Sequence, residues 1–122
     1  MSKNMRVKPF LKWVGGKTKL LSEIEKNLPK NLIKKSFNYV EPFLGGGAVF
    51  FHLIQKFDIE KAYLNDLNNK LIDVYKDVRD KNTELIQKLK KLESDYYGSS
   101  DKKTFFLDKR NEFNTIKKMY LY

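Results

Sequence analysis

Between residues 18 and 28 the apolar positions Leu20, Leu21, Ile24 and Leu28 recur at a helical spacing and form one stripe, and Pro29 follows as a stop. The spacing predicts a helix over 18–28. Residues 37–40 change the pattern: four residues rich in aromatic and β-branched types run straight into EPFLGGG, as a buried strand entering a glycine turn does. Residues 48–56, AVFFHLIQK, are apolar on most of a helical circumference, which predicts a helix packed against a sheet. Residues 61–65 read as a second strand, ending at Asp66. Beyond it Leu71, Ile72, Tyr75 and Val78 share one helical face, and Leu85, Ile86, Leu89 and Leu92 share another. The polar stretch YYGSSDKK over 96–103 predicts a loop or linker, and a last helix is expected over 104–118. There is no internal repeat and no low-complexity tract.

The central order is strand, glycine turn, helix, strand, acid, and it predicts an α/β fold. In a βαβ unit the turn after the first strand lies at the carboxyl edge of the sheet, where glycines let a ligand approach the backbone. An acid ending the second strand about 20 residues on can accept hydrogen bonds from ribose hydroxyls. From Gly45 to Asp66 the separation is 21 residues. The glycine run lacks the GxGxxG spacing of a dinucleotide site, and Glu41 beside it repels phosphate while suiting a cationic or amino-bearing ligand. A nucleoside with a positive centre and an amino group, such as S-adenosylmethionine, fits these charges better than NAD or ATP. Two plainer roles stay open: Asp66 as the cap of the next helix, and Glu41 as a buried acid satisfied by backbone donors.

The stretch KWVGGKTKL over 12–20 invites comparison with a phosphate loop. That motif needs a glycine at position 11, where Leu11 stands, and an apolar strand before it, which is missing. A different task suits these residues: Lys17 brings an ammonium to a ligand carboxylate, and Trp13 offers a flat face to a sulfonium. The plainer alternatives are a solvated Lys17 and a Trp13 that serves as a hydrophobic anchor. His52 lies in an apolar helix with no cysteine or second histidine in the chain, so a structural role is expected of it rather than metal binding.

Composition adds limits. A chain of 122 residues that is 41% hydrophobic has material for one core. The absence of cysteine excludes disulfides and thiolate metal sites and fits a reducing cytosol. No stretch approaches the roughly 18 apolar residues of a membrane span, and the N-terminus lacks the apolar run of a signal peptide. A soluble, cytoplasmic protein is expected. Charge is uneven: residues 1–35 carry +8, residues 36–101 carry −2 and residues 102–122 carry +4. Basic ends around a near-neutral centre predict a nucleic-acid partner, with a uniformly lysine-rich composition as the competing explanation. Lys12, next to Trp13, and Lys109 and Arg110 are the candidate nucleic-acid phosphate contacts, with solvated side chains as the plainer reading.

At this point three blocks carry a family resemblance. FLKWVGGKTKLL over 10–21, YVEPFLGGGAVFF over 39–51 and LNDLNNKLIDVY over 64–75 resemble, in order and spacing, the first three blocks of the Dam-type adenine-specific DNA methyltransferases. FFLDKRNEFN over 105–114 is similar to the entry into that family's target-recognition region. The resemblance implies a partial Rossmann-like S-adenosylmethionine-dependent methyltransferase fold followed by the start of a helical target-recognition region. It implies S-adenosylmethionine as cofactor and double-stranded DNA as substrate. By position it places Trp13 and Lys17 at the methionine end of the cofactor, Glu41 with Gly45, Gly46 and Gly47 beneath it, and Asp66 on the ribose. The corresponding division is a partial cofactor-binding domain over 1–95, then a linker and the beginning of the recognition region over 96–122.

The family's catalytic Asp-Pro-Pro-Tyr block does not occur in this sequence, whose prolines are Pro9, Pro29 and Pro42. In that block a carboxylate and a carbonyl orient the adenine amino group while the aromatic ring stacks on the flipped base. No catalytic residue is therefore assigned. The expectation is a fragment: a truncated gene, half of a split enzyme or a cut piece, inactive until a second polypeptide or a missing C-terminal half supplies the block. A non-catalytic nucleic-acid or cofactor-binding remnant is the competing function.

Overall fold

The structure is a computed structural model that describes residues 6–12 and 17–119. The chain divides into two compact units, residues 1–74 and 75–122.

In the first unit, β1 (Phe37–Glu41) pairs in parallel with β2 (Ile59–Leu64). The register sets Tyr39 beside Ala62, Val40 beside Tyr63 and Glu41 beside Leu64, with an irregularity between Phe37 and Asn38. A parallel pair needs a crossover rather than a hairpin, and α2 (Ala48–Leu53) lies within it. Along β1 the side chains alternate: Phe37, Tyr39 and Glu41 are covered while Asn38 and Val40 are exposed. The core is small. It consists of Ala48, Val49 and Leu53 of α2, Leu44 from the glycine turn, and Leu71 from α3 (Asn69–Asp80). Aromatic rings extend it, with Tyr39 stacked on Phe50 at 6.0 Å and Phe37 edge-on to Phe57 at 6.2 Å.

Several boundaries differ from the sequence expectations. The stripe over 18–28 forms a tight turn at Thr18–Leu20 and then α1 (Leu21–Lys26), because a stripe fixes a face and not the hydrogen-bond period of its ends. A further short turn at Lys30–Lys34 had no apolar pattern to announce it. The crossover helix stops at Leu53 instead of 56, and β2 begins at Ile59, two residues before the expected start. On α3 the expected face of Leu71, Ile72, Tyr75 and Val78 is the covered one.

The second unit contains α4 (Asn82–Gly98) and α5 (Lys102–Met119), which meet where the Tyr96 ring stands edge-on to Phe105 at 5.9 Å. The loop expected over 96–103 is confined to three residues. Tyr96, Tyr97 and Gly98 stay helical, and Asp101 starts α5 by accepting from the Thr104 N–H at 3.0 Å and the Thr104 hydroxyl at 2.7 Å. Sequence punctuation was outweighed by the aromatic contact and by the cap. Ile86, Leu89, Leu92, Phe106 and Phe113 of this pair remain exposed and line an open groove of about 760 Å³.

Candidate functional site

The carboxyl edge of the parallel pair is built from the turn after β1 and the residues after β2. Leu44 is 1% exposed and anchors the turn in the core. Its N–H donates to the Asn65 carbonyl at 2.9 Å, and the Asn65 N–H donates to the Glu41 carbonyl at 2.8 Å, so the two strand ends are laced together. On either side of Gly46 the backbone turns through the left-handed region, with φ of 54° at Gly45 and 73° at Gly47, where a Cβ would be strained. Gly47 then starts α2, and its N–H donates to the Leu44 carbonyl at 2.9 Å.

Asp66 closes this edge. Its Oδ2 accepts from the Gly45 N–H at 2.9 Å and its Oδ1 from the Asn68 N–H at 3.0 Å. These two backbone donors, Asn68 foremost, hold the carboxyl below the usual carboxylate range, with Lys17 adding a smaller electrostatic contribution. The cap of α3 is Asn68 rather than Asp66: its Oδ1 accepts from the Leu71 N–H at 3.3 Å.

Lys17 reaches the same edge from the N-terminal side. Its Nζ donates to the Phe43 carbonyl at 2.8 Å and lies 3.9 Å from Glu41 Oε1. The Glu41 side chain is only 8% exposed. Burial pushes its carboxyl above the usual range, opposed by the Tyr39 hydroxyl, the Lys17 charge and the Phe50 backbone amide. The Tyr39 hydroxyl donates to Glu41 Oε2 at 2.7 Å, and burial, followed by the effect of this acid, raises the phenol well above its ordinary value.

Of the expected cofactor residues, the structure thus brings Lys17, Glu41, Gly45 and Asp66 to the same sheet edge, with Gly45 bonded to Asp66, Lys17 3.9 Å from Glu41, and Gly47 at the head of α2. Trp13 lies outside the described residues. Gly46 and Lys12 border a neighbouring hollow of about 610 Å³, which Arg6, Lys8, His52 and Gln55 also line. Lys109 and Arg110 belong to the second unit. Lys109 is ion-paired with Glu112 at 2.9 Å, and Arg110 borders the apolar groove. His52 Nε2 lies 2.8 Å from Glu25 Oε2, and the same carboxylate accepts from Lys56 at 2.7 Å, which ties α1 to α2 and its end. Among the described residues, no group of histidine, aspartate or glutamate has a metal-holding arrangement, and no helix is long and apolar enough to cross a membrane.

Sequence reasoning missed two parts. Tyr39 was within reach, since positions two apart on a strand share a face. Gln55 was not. Its amide accepts from the Val7 N–H at 2.7 Å and donates to the Val7 carbonyl at 2.9 Å, 48 positions away, and no periodic signal marks such a clamp.

Residues 13–122 match the family model described as D12 class N6 adenine-specific DNA methyltransferase. The chain is similar to Type II methyltransferase M.MjaIII of Methanocaldococcus jannaschii, 45% identical over 119 residues that cover 93% of this chain and 40% of that protein. It is 36% identical over 107 residues to Type II methyltransferase M1.LlaDCHI of Lactococcus lactis subsp. cremoris, covering 88% of this chain and 33% of the relative. It is 35% identical over 120 residues to the DNA adenine methylase of Serratia marcescens, covering 98% of this chain and 39% of the relative. The chain therefore spans 33–40% of the length of these relatives. No solved structure matches it.

Proposed function

The chain belongs to the D12 class N6 adenine-specific DNA methyltransferase family, and from that membership we propose that its first unit is the S-adenosylmethionine-binding part of a DNA adenine methyltransferase. The observation that carries this reading is the hydrogen bond from the Gly45 N–H to Asp66 Oδ2 at 2.9 Å. It joins the glycine turn after one strand to the acid after its parallel neighbour, at the sheet edge where α/β folds bind nucleosides. The fold proposed is accordingly the opening βαβ unit of a Rossmann-like methyltransferase sheet.

The residues present fit the cofactor. Each Asp66 oxygen accepts one backbone N–H and retains lone-pair capacity for a ribose hydroxyl. The turn has glycine at both left-handed positions, so it carries no Cβ of its own there to keep a ligand from its backbone. Lys17 and Glu41 place one positive and one negative group 3.9 Å apart beside that turn, matching the carboxylate and amino group of a methionine end. Trp13 is assigned to the sulfonium side, and Gly46 to the floor between Gly45 and Gly47. S-adenosylmethionine, when bound, supplies the electrophilic methyl group for the exocyclic amino group of adenine. Lys12, Lys109 and Arg110 are assigned to the phosphates of double-stranded DNA, which position a protein without specifying sequence. The Asp-Pro-Pro-Tyr block that orients the adenine is assigned to residues beyond these 122, from a second polypeptide or a longer form of the chain. The setting proposed for it is cytosolic.

Equilibrium binding of radiolabelled S-adenosylmethionine to the 122-residue chain tests the cofactor assignment, and saturable binding is expected. A folded chain that binds none would overturn it. Transfer of the label to DNA, with the chain alone and with the product of any adjacent reading frame, tests the remainder. Cofactor or DNA binding with no transfer in either mixture would favour a non-catalytic remnant.

A further inference from the structure

We infer that Tyr39 is a positioning residue, whose hydroxyl turns the Glu41 carboxylate so that its second oxygen faces Lys17 and the two charges form one receptor. The inference rests on the cofactor reading above, and the receptor's ligand is the zwitterionic amino-acid end of S-adenosylmethionine.

Tyr39 and Glu41 stand two positions apart on the covered face of β1, so their side chains leave the strand in the same direction. The Tyr39 ring is stacked on Phe50 of α2 with an interplanar angle of 26°, which fixes where the hydroxyl points. The hydroxyl takes Oε2 at 2.7 Å, and the remaining oxygen, Oε1, is the one directed at Lys17. At 8% side-chain exposure, Glu41 has little water to orient it, and the Phe50 backbone amide is the other group that bonds it. At 3.9 Å the acid and ammonium attract through space without a hydrogen bond. Among the described residues, one of the ammonium's three N–H donors goes to a hydrogen-bond acceptor, the Phe43 carbonyl, which leaves donors for a ligand carboxylate. Burial works against the ionised acid, and the phenol stabilises it by donating to it.

The test uses Tyr39→Phe in the full chain, which keeps the ring stack and removes the donor. The Glu41 carboxyl midpoint is followed by NMR on carbon-13-labelled glutamate, the signal being identified by its loss in Glu41→Gln. The midpoint is expected to move up in Tyr39→Phe, and the Kd for S-adenosylmethionine at neutral pH to rise about threefold to tenfold, the scale of one hydrogen bond. In a Glu41→Gln background the same tyrosine change should leave the Kd unaltered. An unmoved midpoint, or equal losses in both backgrounds, overturns the inference. A midpoint that moves in a chain that binds no cofactor even with Tyr39 in place overturns the cofactor reading instead. Should Tyr39→Phe unfold the chain, 3-fluorotyrosine substitution supplies a stronger donor, and the midpoint must then fall. A midpoint that stays where it was would count against Tyr39.

Discussion

The Gly45 N–H and Asp66 Oδ2 meet at 2.9 Å across 21 positions of sequence, and through that contact the turn leaving β1 is held by an acid two residues past the end of β2. Asp66 is thereby both a structural tie and the proposed ribose acceptor. Because folding lowers its pKa, its stabilisation is present above the ordinary carboxylate value and is lost as pH falls through the lowered one.

Asp66→Ala is expected to weaken S-adenosylmethionine binding about tenfold or more, the scale of a lost charge-assisted hydrogen bond. It should also remove part of the loss of thermal stability on acidification. Calorimetric titration and melting curves at descending pH measure the two effects, and unchanged affinity would exclude the ribose role.

Glu41→Gln should separate stability from binding. Folding raises the Glu41 pKa, so the folded chain retains a proton there that the unfolded chain releases. Stability from this group therefore falls as pH rises from the ordinary carboxylate value through the raised one. The amide variant is expected to melt higher at neutral pH, with a flatter pH profile, yet to bind S-adenosylmethionine more weakly. A lower melting temperature at neutral pH would show that the ionised acid is a net stabiliser.

Leu44→Ala tests the anchoring of the turn. Leu44 is 1% exposed and stands between two functional segments, so its truncation should cost about 2–5 kcal/mol through lost transfer energy and a residual cavity. Urea unfolding followed by circular dichroism measures this. A cost below about 1 kcal/mol would mean that the turn is not held from the core.

Gln55→Ala should release the basic segment 6–12 from the end of α2. Two hydrogen bonds to Val7 are lost, and the Phe10 ring, edge-on to Phe51 at 6.0 Å, keeps part of the docking. Hydrogen exchange at the Val7 amide is expected to speed up by about tenfold while global stability drops by about 1 kcal/mol. Unaltered exchange would show that the segment is held elsewhere.

How much was legible differs from one element to the next. The β1 to β2 order, the glycine turn and Asp66 were readable because strand alternation, the need for glycine at positive φ and an acid at a strand end are local rules. The helical face of Leu71, Ile72, Tyr75 and Val78 was readable for the same reason. The end of α4 was not: Gly98 and the serines after it resemble a break, but Tyr96 packs on Phe105 and Asp101 caps the next helix. Tertiary contact outweighed a weak local preference.

Side-chain types and their spacing along the chain were enough to specify an α/β order, since each element depends on neighbours within a turn or a strand. The cofactor candidate came from a glycine turn and an acid 21 positions on, and the kinship from the resemblance of three motif blocks. Folding alone settled that Lys17 bonds the Phe43 carbonyl and that Gln55 clasps Val7. Those partners lie 26 and 48 positions apart. Both distances exceed any helical or strand period, so only the packing of the core could bring their polar groups within hydrogen-bonding range.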